Sequence, residues 1–142
     1  MQEEGNRKMT ISGSCFCGSI TYKVDGNLHD ARSCHCPECR KAFSSQASAY
    51  ALVDSDKFLW VSGENLLTNY ESKKGEGLFF CSICGSTLCG TYKGKIHGVT
   101  LGCVDGDPEI SLTRHIFVGS KASWETIPKD VPQYEKGSPE DA

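Results

Sequence analysis

No run of apolar residues in this chain approaches the roughly 20 that a membrane-spanning helix needs, and no run of five or more like charges occurs. The first absence sets membrane proteins aside, so no membrane partner is expected. The second, with 15 basic against 18 acidic residues, a net charge of −3 and a pI near 5.8, leaves no basic stripe to neutralise a phosphate backbone, so no nucleic-acid partner is expected. The opening residues, Met1 to Lys8, lack an apolar h-region and are not read as a secretory signal. We read residues 1–8 as a flexible N-terminus and the compartment as cytoplasmic. There is also no long 3.6-period stretch and no repeat, which sets aside helical bundles and solenoids.

Cysteine, by contrast, is abundant. The 142 residues include nine, an odd number that fits a disulfide framework poorly. In a reducing compartment, clustered cysteines more often bind metal or carry chemistry than form bridges. At this length one domain can bury roughly 68–70% of the surface its unfolded chain exposes, so it can fold without staples.

Short alternating runs broken by Gly and Asp turns predict a mostly β domain. Ile20, Tyr22 and Val24 fall on one face of a strand and Thr21 and Lys23 on the other. Strands are predicted over residues 47–53, 58–61, 66–71, 86–92, 96–104 and 114–118, with an apolar approach to Cys81 at residues 78–80. Pro37 breaks any strand at the central cysteines, and residues 38–43 suit one short helical turn. Residues 9–131 are read as one zinc-binding domain and residues 132–142 as a polar C-terminal tail.

Three cysteine groups stand out. Cys81-Ser82-Ile83-Cys84-Gly85 has the two-residue spacing that lets a tight turn present two thiolates to one tetrahedral ion, and its Gly permits a left-handed backbone. The other half of such a site is Cys15-Phe16-Cys17-Gly18, where an i, i+2 pair on extended chain projects both thiols to one side. Closed on zinc, Cys15, Cys17, Cys81 and Cys84 would make a structural site.

That pairing leaves Cys34-His35-Cys36-Pro37-Glu38-Cys39-Arg40, with three thiols within six residues. A fourth ligand from His35, Cys89, His97, Cys103 or His115 would close it; a redox role for Cys36-Pro37-Glu38-Cys39 would need a βαβ context that is missing. An open three-thiolate zinc would instead hold a substrate thiol, with Cys34, Cys36 and Cys39 as ligands and Arg40 either balancing their charge or binding a carboxylate. Phe43, Tyr50 and Trp60 are candidate pocket aromatics.

The order Gly13-Ser14-Cys15-Phe16-Cys17-Gly18, then Cys34 through Arg40, then Phe80-Cys81-Ser82-Ile83-Cys84-Gly85-Ser86, resembles the glutathione-dependent formaldehyde-activating enzyme family, which also includes centromere protein V. His115-Ile116-Phe117-Val118 and the stretch from Trp124 to Tyr134 resemble that family's closing segment. The resemblance implies a β-tent fold of small, zinc-ribbon-like antiparallel sheets stabilised by two Zn2+ per chain. One zinc would be structural, on Cys15, Cys17, Cys81 and Cys84; the other would be exchangeable, on Cys34, Cys36 and Cys39. It also implies a zinc-dependent carbon–sulfur lyase acting on a thiol adduct such as S-hydroxymethylglutathione, with glutathione as the small-molecule partner. A non-catalytic thiol carrier and a structural zinc scaffold are the alternatives. Cys103, where the family usually has a small polar residue, and Leu112, where Pro is common, depart from its pattern and alter the pocket wall rather than the metal ligands.

Overall fold

A computed structural model describes residues 10–139; the N-terminal segment 1–8 and the last residues of the expected tail lie outside the described residues. Strands β1 (Thr10–Ser14), β2 (Thr21–Asp25), β5 (Phe58–Ser62) and β10 (Val104–Asp105) form a four-stranded antiparallel sheet in the order β10-β1-β2-β5. The second sheet has seven strands in the order β11-β3-β4-β9-β8-β7-β6. These are β3 (His29–Cys34), β4 (Tyr50–Leu52), β6 (Leu67–Glu71), β7 (Glu76–Cys81), β8 (Thr87–Tyr92), β9 (Lys95–Thr100) and β11 (Arg114–Ile116). Every pairing is antiparallel except β11 with β3. The protein is mostly β, with one α-helix, α1 (Pro37–Phe43), among the described residues and no closed barrel. None of the described helices is long and apolar enough to cross a membrane.

The period-2 pattern does what it predicts in β2, where Tyr22 and Val24 are buried and Lys23 is exposed. The Tyr22 ring fills the space a side chain at Gly13 on β1 would need. Aromatic packing then joins the sheets: Tyr22 stacks on Phe58 at 4.9 Å between ring centroids, Phe58 meets Trp60 at 4.7 Å, and Trp60 meets Phe79 of β7 at 5.9 Å. Each such pair adds about 0.5–1.5 kcal/mol beyond its burial. Ile20, Leu88, Cys89 and Val99 complete the centre of the core.

Three expected elements differ. The run 96–104 is two strands rather than one, because a 3-10 turn at Leu101–Cys103 carries the chain from β9 to β10 in the other sheet. An apolar run gives no signal of such a change of sheet. The segment expected to trail away as a polar tail is also bonded to the fold as far as Ser138: Pro132 O accepts from His115 N at 2.9 Å, Tyr134 N donates to His115 O at 2.9 Å, Lys136 O accepts from Phe117 N at 3.0 Å, and the buried Ser138 Oγ accepts from Arg114 Nη1 at 3.5 Å. Those contacts hold β11 on the side away from β3. The predicted strand 47–53 shortens to β4, since Ser48 turns inward to bond Cys34.

Candidate metal centres

The first centre forms where two turns from different sheets meet. Cys15 follows β1 and Cys17 lies in the turn before β2; Cys81 ends β7 and Cys84 lies in the turn before β8. All four Sγ atoms lie within 4.8 Å of one another, with Cys15 to Cys17 at 3.6 Å and Cys17 to Cys81 at 3.8 Å. Four sulfurs at ~2.3 Å from a tetrahedral zinc would be separated by about 3.8 Å, so the spacing fits that ion. Gly18 and Gly85 take φ of 80° and 84°, the left-handed turns expected after each pair. Backbone amides face the sulfurs: Ile20 N donates to Cys15 Sγ at 3.3 Å and Ile83 N to Cys81 Sγ at 3.4 Å. Ser86 ties the halves together, its Oγ accepting from Phe16 N at 2.8 Å and lying 3.4 Å from Cys84 Sγ. Hydrogen bonding from Ser86 brings the Cys84 thiol down to about 5, and Ser19 likewise lowers Cys17.

The second centre is local. β3 delivers Cys34, Cys36 caps α1 with its Sγ accepting from Cys39 N at 3.4 Å, and Pro37 occupies the first helical turn, where a missing N–H costs nothing. The Sγ atoms of Cys34, Cys36 and Cys39 lie within 4.8 Å of one another. A hydrogen bond from Cys34 draws the Cys39 thiol down to about 6, while the same bond and burial push Cys34 up. The shared bond therefore favours charge on Cys39 over Cys34. Ser48 anchors this arrangement: its buried hydroxyl accepts from Cys34 N at 3.0 Å and also bonds Cys39. The donor set of three converging sulfurs fits a soft divalent ion.

Among the described residues, none of the fourth ligands considered above joins the three sulfurs. His35 points the opposite way from its cysteine neighbours. Its Nε2 is 2.9 Å from His115 Nδ1, and its Nδ1 lies 3.4 Å from Glu125 Oε1 without a hydrogen bond; burial pushes both imidazoles below their ordinary value. Cys89 is in the core, and Cys103 Sγ lies 3.5 Å from Thr87 O.

Between the centres runs a cleft of about 460 Å3, bordered by Phe43, Ala47, Ser86, Thr87, Thr100 and Cys103. Phe43 therefore lines it, whereas Trp60 belongs to the core aromatics and Tyr50 pairs with Thr100 inside the sheet. Arg40 turns from the cleft to donate from Nη1 to Ser120 O at 2.9 Å. Ser48, Ser86 and Glu125 had no local signal in the sequence: the first stands 14 residues from the cysteine it bonds, the second 70 residues from the amide it accepts.

Comparison with known proteins agrees with this geometry. No curated protein matches the chain. A crystal structure of a Rhodobacter sphaeroides protein is similar, with 26% identity and a TM-score of 0.53 over 68% of this chain and 89% of the other. Residues 10–120 match the family model described as glutathione-dependent formaldehyde-activating enzyme. With that match covering most of the chain and both cysteine clusters, the protein belongs to the glutathione-dependent formaldehyde-activating enzyme family.

Proposed function

We propose that this protein is a cytoplasmic zinc-dependent lyase-like enzyme that makes and breaks the carbon–sulfur bond of a small thiol adduct such as S-hydroxymethylglutathione. The observation that carries the proposal is the second cluster: three converging sulfurs with no fourth donor from the described residues, in a member of this family. Cys15, Cys17, Cys81 and Cys84 would hold one zinc as a closed site, and Cys34, Cys36 and Cys39 the other. Zinc on the three-sulfur cluster would supply a Lewis-acid position at which a substrate thiol is held deprotonated at neutral pH. The chain's own contribution is to fix the three sulfurs through the α1 cap and Ser48, and to offer an apolar wall at Phe43.

A specific feature favours a second reading. The cleft is lined by no carboxylate and no histidine, so nothing beside Cys103 and the hydroxyls of Ser44, Ser45, Ser86, Thr87 and Thr100 is placed there to move a proton. A thiol carrier would need no more. The discriminating experiment starts with zinc stoichiometry in protein purified without chelator, then follows the zinc K-edge during glutathione titration. We expect two zincs per chain, one gaining a sulfur neighbour. Acceleration of adduct formation above the spontaneous rate supports the enzyme, and binding without acceleration supports the carrier. An edge that ignores glutathione overturns both.

A further inference from the structure

We infer that Glu125 is a positioning residue for the three-sulfur centre: acting through His35, it couples metal on Cys34, Cys36 and Cys39 to docking of the segment from Val118 to Glu125. This coupling rests on the second metal proposed above and names the part of the chain which that metal holds in place.

The run that carries the second centre is gripped from both flanks by that one segment. His35 stands between Cys34 and Cys36, and its Nδ1 faces Glu125 Oε1 at 3.4 Å. Arg40 directly follows Cys39; its Nη1 donates to Ser120 O at 2.9 Å, and its guanidinium carbon lies 5.8 Å from the centre of the Trp124 ring. The segment is also braced within itself. Lys121 Nζ donates to Glu125 O at 2.8 Å, Glu125 N donates to Ala122 O at 3.2 Å, and Ala122 is buried. A shift at Glu125 is therefore passed to Lys121 and Ala122.

The joint at Glu125 is unfinished. His35 is fully buried, and neither its Nδ1 nor Glu125 Oε1 has a hydrogen-bond partner among the described residues. Buried polar atoms are rarely left so. At 3.4 Å a water cannot lie between them, since it needs about 2.8 Å on each side. Each atom is thus the other's partner, a small movement short of bonding. Across the ring, His35 Nε2 is 2.9 Å from His115 Nδ1, and two nitrogens that close share one proton. With a carboxylate at Glu125, one order leaves no two donors and no two acceptors face to face: His115 Nδ1–H donates to His35 Nε2, and His35 Nδ1–H points at Glu125. His115 is itself fixed by its pairing with β3 and by backbone bonds to Pro132 and Tyr134. Closing the joint therefore moves Glu125 or the peptide joining Cys34 to Cys36. Three sulfurs set about 3.8 Å apart on one ion would immobilise that same peptide, so metal and Glu125 act on it from two sides.

The test compares zinc-loaded wild type, Glu125→Ala and Glu125→Gln in competition with a graded series of chelators. Glu125→Ala should release its second metal about tenfold more readily, the lower end of the loss expected for a support behind a metal ligand, and keep its first metal as wild type does. Glu125→Gln retains an acceptor oxygen and should stay within about threefold of wild type, a neutral acceptor replacing a charged one. Coupling is reciprocal, so in wild type the second metal should slow hydrogen exchange at the bonded amides of Ser120, Lys121 and Glu125 by a similar factor, about tenfold. That measurement decides the matter even where Glu125→Ala does not fold. Unchanged retention of the second metal in Glu125→Ala, equal damage from Glu125→Gln, or exchange that ignores the metal overturns the coupling. A zinc edge silent to glutathione, with the tenfold loss in Glu125→Ala, removes the thiol site and keeps the coupling. An edge that responds while Glu125→Ala holds both metals normally removes the coupling alone.

Discussion

Four sulfurs converge in one centre and three in the other, yet the larger difference lies in what each set spans. Cys17 and Cys81 are 64 residues apart and belong to turns of different sheets; Cys34, Cys36 and Cys39 join the end of one strand to the helix that follows. Loop-closure entropy rises with the logarithm of the span, so a metal on the first set constrains the unfolded chain by about 2 kcal/mol more than one on the second. The first set also adds a fourth donor from the chain itself. On the function proposed above, a metal there would act on the fold, and a metal on the local set would act mainly on chemistry. Both sets share one device, a serine that binds a ligand thiol and a backbone amide: Ser86 in the first and Ser48 in the second.

The largest effect is expected from Cys81→Ala. Structural zinc in finger peptides contributes ~10–16 kcal/mol of apparent folding energy, comparable with or larger than the ~5–15 kcal/mol stability of a whole domain. This variant should lose its cooperative thermal transition by circular dichroism. A melt within a few degrees of wild type would end the distinction between the centres. Cys36→Ala should behave oppositely, folding cooperatively but binding one metal instead of two. Its cost is mainly that of a helix cap, about 1 kcal/mol, or roughly 3–5 °C in Tm. Unfolding of this variant would mean the local cluster is structural too.

That asymmetry was partly legible in the sequence. The Cys-x-x-Cys-Gly spacing and the i, i+2 pair at Cys15 and Cys17 carry their geometry locally, so the structure places those sulfurs where the pattern put them. The alternation in β2 is legible for the same reason: one face is buried and one is not. What could not be read is fixed by partners remote in the chain. Nothing between residues 96 and 104 announces that β9 and β10 belong to different sheets, and nothing in the polar composition of residues 132–136 announces that their backbone bonds β11. Trp60 looks like a pocket aromatic until Phe79 of the other sheet is seen beside it. Ser48 is one of several serines after α1, and only the fold selects it to receive the Cys34 amide.

Ser48→Ala tests how rigidly the local centre is held. The serine is 1% exposed, so its loss leaves the Cys34 amide without an acceptor where water cannot replace it, at about 1–3 kcal/mol. Removing such a support behind a metal ligand typically costs about 10–100-fold in affinity. Competition with a graded series of chelators should show the second metal lost first and at lower chelator strength than in wild type. Unchanged competition would mean the α1 cap alone sets the three sulfurs.

The smallest effect belongs to Ser86→Ala, and it is the sharper test because the two serines make the same kinds of bond. The Phe16 amide that Ser86 receives is at an exposed position, and Phe16 itself is 92% exposed. Water can therefore take the vacated place, and the expected cost falls to the lower end of a hydrogen bond's net value, about 0.5 kcal/mol. Four thiolates converging from two sheets also leave the first metal less dependent on any one support. Ser86→Ala should thus melt close to wild type and release its first metal at nearly the wild-type chelator strength, while Ser48→Ala does not. If Ser86→Ala proves the more damaging of the two, exposure does not rank these supports, and the turn between Cys81 and Ser86 must be held by its serine rather than by the amides facing Cys81.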